Sequence, residues 1–418
     1  MSALPVSSFP WPLLLVASVL VVLPVGRGAE LPLLLASLCG LSLLVRRRDI
    51  GGHPALRLAV ALFACYWLPI LVSAPLAVMP AKAWSTAASA LRFLPFVVFV
   101  GWALRDARDW PAARGAFAGV ILLWMLDAWV QMATGYSLGG AAEAERISGI
   151  FGADNLKLGP VLAVVSPFLL LAARERAGRT GFLLAMFLMA GPILLAGSRA
   201  AWIAYALVCV LLGWREAGTL RRFAAGLLLV GLVAGLCATF ALQDSTRLNA
   251  RVDRSLLALD GTEQAIDEAS AGRVRIWRAA LGMVAAHPLT GVGVRGFRHA
   301  YAEFAEPDDP FIDAETRTGA AHAHQIVLEV ASETGLVGVG FWLGGTWLAW
   351  RAWRRADDDA RSRARAPAVA LVAMCFPLNT HLAFYSAWWG LLFWWLLALY
   401  CAALGAATPE AKVPGPPR

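Results

Sequence analysis

Apolar runs close to the length of a membrane span, most of them closed by short arginine-bearing connections, recur from one end of this sequence to the other. Inside hydrocarbon every backbone N–H and C=O must be satisfied within the chain, so such runs are compatible with transmembrane helices and with little else. On a ruler of about 20 residues per span, candidates fall at 11–26, 31–45, 57–78, 86–104, 115–133, 158–173, 181–197, 200–214, 223–242, 334–350, 366–385 and 387–406. The expected fold class is therefore an all-α polytopic membrane protein of about 12 transmembrane helices with one large outer loop containing short surface helices. Composition agrees, with 59% of the residues hydrophobic and 15% charged.

Orientation follows from where arginine collects. Arg46, Arg47 and Arg48, then Arg105, Arg108 and Arg114, then Arg174, Arg176 and Arg179, then Arg215, Arg221 and Arg222, then Arg351 to Arg365 occupy alternate connections. Positive charge is retained on the cytoplasmic side during insertion, so those loops and both termini are expected inside. The net charge of +8 is in this way topological, and a nucleic-acid partner is not expected. No basic leader or small-residue cleavage site precedes Leu31, which favours a retained first helix over a signal peptide. The expected plan is helices one to nine in 1–242, a large outer loop carrying the chemistry in 243–333, helices ten to twelve in 334–406, and a Pro-rich disordered cytoplasmic tail in 407–418.

Within the outer loop, Gly272 to His287 places Val274, Trp277, Leu281 and Val284 three or four residues apart. That stripe predicts a helix lying along the membrane surface, flanked by Arg273, Arg275 and Arg278. The loop ends in AHAHQIVLEVASETGLVG, Ala321 to Gly338, where polar sequence turns back into a span. An imidazole at this seam reaches a head group in water while its helix is anchored in lipid.

The residues that break the topological pattern are the candidates for chemistry. Arg199 sits in an outer turn between two spans, where it reads either as a ligand for something anionic or as a snorkelling side chain. Arg273 and Arg275 open the surface helix, where free N–H groups add to the pull on an anion; a solvated or lipid-facing role is the alternative. The planar guanidinium fork fits phosphate oxygens, and a neighbouring base would take a proton from an acceptor hydroxyl. His324 is the preferred base and His322 its tuning neighbour, with Glu329 or Glu333 placed to orient a ring or bind solvent. Asp127 and Gln131, four residues apart on one helix face, pair more naturally with structure than with catalysis, and Arg92 is the expected partner of Asp127.

Other signals are discounted. GVGVRGF, Gly291 to Phe297, has dinucleotide-like glycine spacing but follows a helix, so it reads as a tight loop. The six cysteines lie in apolar spans without metal-ligand spacing, and neither a metal nor a cofactor is expected.

From about the fourth span to the eleventh, the ordered motifs resemble the O-antigen ligase family, within the bacterial O-antigen ligases, polymerases and related oligosaccharyltransferases. The motifs are Asp127, Gln131 and Gly135, then RISGIFGADN (Arg146 to Asn155), GSRAAW, GRVRIWRAAL with HPLTGVG, and HAHQ followed by ETGLVG. His324, Gln325, Gly335 and Gly338 fit the family's histidine motif, although Gln325 replaces the commoner asparagine or serine. Asp154 stands where a proline is common. The resemblance implies catalytic roles for His324 as general base, Arg199 and Arg273. Substrate contacts are expected of Arg275, His322, Arg146, Asn155 and Gln325, although His322 has no place in the family's motif, and supporting roles of Arg92, Asp127, Gln131 and Glu333. The resemblance further implies transfer of polysaccharide from undecaprenyl pyrophosphate to lipid A core on the periplasmic face of a Gram-negative inner membrane, without a metal. An O-antigen polymerase and a protein O-oligosaccharyltransferase are the near rivals. A lipid-linked glycan transporter is the rival from another class, but it calls for paired broken spans around a charged midplane path, and the sequence offers only Arg92 and Asp127 there.

Overall fold

The computed structural model describes residues 10–46, 54–142, 146–153, 155–226, 228 and 257–406. The ninth expected span lies almost wholly outside these residues, as do Asp154, residues 243–256 and the tail 407–418.

Among the described residues, seven helical stretches are long and apolar enough to cross a membrane, and the chain is a multi-pass, predominantly helical membrane protein. In order, the helices are α1 (Trp11–Val21), α2 (Glu30–Arg46), α3 (Pro54–Ser73), α4 (Pro80–Ala90), α5 (Phe93–Ala103), α6 (Trp110–Thr134), α7 (Leu158–Leu195) and α8 (Arg199–Ala217). The segment expected to form the outer loop contributes α9 (Glu263–Ser270), α10 (Arg273–Ala286) and α11 (Phe297–Phe304). The chain closes with α12 (Ile326–Arg355), α13 (Asp358–Cys375) and α14 (Ala387–Gly405).

Several spans differ from their linear reading for identifiable reasons. The expected span 86–104 is present within one helical stretch, Pro80–Ala103, notched between α4 and α5 at Leu91–Arg92, where Pro95 has no N–H to return to Leu91. α7 is a hairpin of two spans: Ala177 and Gly178 leave helical geometry, and a Cβ on Gly159 would lie 2.9 Å from Ala196. A straight helix would hold those residues about 55 Å apart. The two separate spans expected at 158–173 and 181–197 are thus present. The expected span 366–385 is too long: α13 stops at Cys375, and residues 376–386 form a non-helical connection beginning at Phe376-Pro377.

α12 is interrupted at Gly335 (φ +64°), and the interruption is filled by the loop after α10. Leu336 N–H donates to Pro288 O at 2.8 Å, Val337 N–H to Leu289 O at 3.3 Å, and Val292 N–H to Ser332 O at 2.8 Å. The freed polar groups of the break are thereby paired, as burial requires. A Cβ at Gly335 would come within 2.2 Å of Leu289 backbone, and one at Gly291 within 2.4 Å of Ser332 O. The HPLTGVG and ETGLVG motifs are two sides of one glycine-dependent contact.

α14 is apolar on all faces and accordingly occupies the bundle interior, with Trp394 and Trp395 fully buried. The segment carrying α9 to α11 has its own small core of Ile276, Ala279, Ala280, Met283, Phe297 and Tyr301. This corrects the expected stripe on α10: Leu281 is exposed, and the buried face is rotated to Ile276, Ala279, Ala280 and Met283 because α10 packs on α11 and α12.

The connections sort to the two ends of the bundle. At one end Arg114 pairs with Glu175 at 2.6 Å and Arg174 with Glu216 at 2.5 Å. At the other, the described residues after α6, the α7–α8 turn, the segment carrying α9 to α11 and the 376–386 connection meet.

Candidate active site

The site begins with the turn that feeds α12. Gln325 caps the helix, its side-chain oxygen accepting from Leu328 N–H at 2.6 Å, so a short polar acceptor after the histidine starts the helix in place. The residue before it, His324, is held in the left-handed region at φ +52°, a strained conformation for a side chain of this size. Its amide donates to His322 Nδ1 at 3.2 Å, and the two rings lie 4.0 Å apart between centroids.

The His324 ring is oriented by the connection after α13. His324 Nδ1 lies 2.8 Å from Thr380 O. A carbonyl only accepts, so Nδ1 carries the proton in the neutral ring and Nε2 keeps its lone pair. His322 has the opposite tautomer, because its Nδ1 accepts from the His324 amide. Glu329 Oε2 approaches His322 Nδ1 only to 3.7 Å, beyond hydrogen-bond range, while the other carboxylate oxygen accepts from Tyr385 N–H at 3.3 Å. Glu333 does not reach either histidine side chain: its Oε2 accepts from the Arg295 amide at 2.9 Å.

A third imidazole, His381, joins them, with Nδ1 3.2 Å from Ser198 Oγ; Ser198 is also the N-cap of α8, accepting from Ala201 N–H. Each ring is half-buried and each is less basic than a free imidazole. Burial, then Arg295 and Arg273, bring His322 down to about 4. Burial, then His322 and Arg273, bring His324 down to about 4 against the opposing bond to Thr380. Burial, then Arg273, His324, His322 and Arg146, do the same to His381, again to about 4. All three are neutral at neutral pH.

Guanidinium groups surround this cluster. Arg273 is depressed by burial and by Arg199, and among the described residues its guanidinium has no hydrogen-bond or ion-pair partner. Arg199 NH1 donates to Ala269 O. Arg295, at φ +63°, and Arg146 add further charge from the loop after α10 and from the segment after α6. Gathered like charges are costly unless an anion offsets them, and the buried carboxyls of Glu329 and Glu333 lie beside His322 and the Arg295 amide.

Other expected contacts are placed elsewhere. Arg275 is held by Asp267, at 3.2 Å from its Nε and 3.2 Å from its amide, which leaves Arg273 as the member of that pair acting on the histidines. Asn155 builds a turn, donating to Phe151 O at 3.1 Å and accepting from Lys157 N–H at 3.2 Å; with Arg146 and Ser148 it borders a small cleft. Asp127 and Gln131 are buried on one face of α6. Gln131 accepts from Ser148 and Gly149 amides at 2.8 and 2.7 Å, and Asp127 accepts from Leu138 N–H at 2.7 Å, so both organise the segment that carries Arg146. The expected Arg92–Asp127 pair does not form: Arg92 bonds Glu30 at 2.9 Å, because the break before α5 faces the start of α2.

Two contributors escape a linear reading. His381 lies in FPLNTHLAFYS, which averages into an apolar run although Pro377 and Asn379 signal a turn. Arg295 sits in the glycine-rich loop discounted as a nucleotide motif.

No curated protein matches the chain. A family model described as O-Antigen ligase matches residues 184–343, a stretch running from the second half of the α7 hairpin through Arg199, Arg273, Arg295 and His324 into α12. Over this stretch the chain is similar to the O-antigen ligase family.

Proposed function

We propose that the protein transfers an O-antigen polysaccharide from undecaprenyl pyrophosphate to a sugar hydroxyl of lipid A core, at the periplasmic face of a Gram-negative inner membrane. The observation that carries this reading is the bond from His324 Nδ1 to Thr380 O, which leaves Nε2 as an acceptor within the field of the Arg273 guanidinium. The donor diphosphate lies among Arg273, Arg199, Arg295 and Arg146, whose charge offsets the negative charge that builds on the leaving group. The acceptor oxygen attacks the anomeric carbon as the bond to the diphosphate breaks, with inversion, and its proton passes to His324 Nε2. Undecaprenyl pyrophosphate departs with the bonding electrons.

The weak basicity of the resting ring is consistent with this chemistry. Desolvation and Arg273 keep Nε2 unprotonated before the donor arrives, and the incoming diphosphate cancels the guanidinium field and strengthens the base. An O-antigen polymerase uses the same donor and differs in the acceptor. Purified protein given one labelled donor with lipid A core, with a second lipid-linked glycan, or with a serine-bearing peptide separates these readings. Label appearing only on the second lipid-linked glycan makes the protein a polymerase.

A further inference from the structure

A second chamber lies within the bundle, apart from the histidines. It has a volume of about 670 Å³ and is walled by α3, α12, α13 and α14, with Leu62, Trp342, Trp353, Val372 and Tyr400 among its lining. None of His322, His324, His381 or Arg273 borders it; Phe384, Tyr385 and Gly338 close its end nearest the catalytic cluster. Its charged lining groups among the described residues are Arg215 and Arg365. Arg215 follows Arg199 by sixteen positions on α8, about 24 Å along the helix axis, which puts this charge at the opposite end of the bundle.

The two arginines oppose each other's charge, and the nearby carboxylates are already engaged, Glu216 by Arg174 and Glu175 by Arg114. Among the described residues neither guanidinium has a hydrogen-bond or ion-pair partner. An apolar chamber with two like charges at one mouth matches a molecule with a hydrocarbon body and one anionic end. The charge is on the far side from the catalytic cluster, so a lipid carrier whose head group sits among the histidines has the wrong polarity to fill it.

We propose that this chamber binds one anionic glycerophospholipid, its phosphate on Arg215 and Arg365 and its acyl chains between α3, α12, α13 and α14. The lipid acts as a wedge that fills the space beside the break at Gly335. This inference stands independently of the transfer reaction.

The test uses delipidated full-length protein in detergent, reloaded with phosphatidylglycerol or phosphatidylcholine and weighed intact by native mass spectrometry. Wild type is expected to retain one phosphatidylglycerol in preference to phosphatidylcholine. The double variant Arg215→Gln/Arg365→Gln is expected to lose that preference by about tenfold, since two charge-assisted bonds are removed. Ala349→Phe fills the chamber and is expected to abolish retention of both lipids; Val372→Phe serves the same purpose should the first variant fail to elute as folded protein. Equal retention of the two lipids by wild type overturns the proposal, as does retention unaffected by the chamber-filling variant. Displacement by undecaprenyl phosphate that ignores the arginine replacements assigns the chamber to the carrier tail instead, and also overturns it.

Discussion

His324 Nδ1 is held 2.8 Å from the carbonyl oxygen of Thr380, so a bond between two distant parts of the chain fixes which ring nitrogen is free. The His324→Gln variant is expected to fold and insert but to lose transfer by about 10²- to 10⁴-fold, the usual weight of a general base. A reconstituted assay with labelled donor and lipid A core reads this directly. Wild-type turnover by the variant removes His324 from the chemistry.

The strained backbone at His324 gives a separate expectation. Asparagine tolerates the left-handed region better than histidine, so His324→Asn is expected to melt no lower than wild type while remaining inactive. A variant that is both inactive and strongly destabilised would point to a structural role for the ring.

Arg273 and Arg275 are two residues apart but differ in their surroundings, since Asp267 already engages Arg275. Arg273→Lys is expected to lower kcat/KM for the donor by about 10- to 100-fold, because a point charge does not reproduce forked phosphate contacts. Arg275→Lys is expected to stay within about threefold of wild type, since exposed or half-exposed ion pairs contribute little. Equal losses at both positions contradict the assignment of the diphosphate to Arg273.

The three imidazoles also predict how stability depends on pH. Each has a folded-state pKa near 4, below the usual value of about 6.5, so protonation favours the unfolded chain. Their contribution is whole above about pH 6.5 and is lost as pH falls toward 4. Melting temperature in detergent is expected to drop through that window, and replacing all three histidines by glutamine should flatten the slope. A melting temperature that rises on acidification through the same range refutes the depressed values.

Gly335→Ala is expected to be destabilising by more than about 1 kcal/mol, because the new Cβ meets Leu289 backbone and the residue needs positive φ. Gly340 lies in the same helix with nothing within 4 Å of a built Cβ, and Gly340→Ala is expected to be neutral or to stabilise by about 0.5–1 kcal/mol. Thermal melts of the pair, run with the transfer assay, distinguish a backbone requirement at the break from a general intolerance of larger residues in α12.

The apolar runs by themselves determined that this chain is a helical membrane protein, since hydrocarbon admits few ways to pair a backbone and run length reports span length. They also marked the two halves of the α7 hairpin, where Arg174, Arg176 and Arg179 cluster around the turn at Gly178, and the polar seam at His324. Only the tertiary structure decided which polar groups meet. His381 was averaged away in an apolar window, and its role depends on a connection folding back over Ser198. Arg92 found Glu30 and not Asp127 because helix crossing, not sequence position, chooses the partner of a charge. The face of α10 was likewise set by its neighbours α11 and α12. Periodicity names the residues that prefer burial, but the contacts that tune an imidazole or free a guanidinium come from elements remote in sequence. Those contacts exist only once the elements are packed.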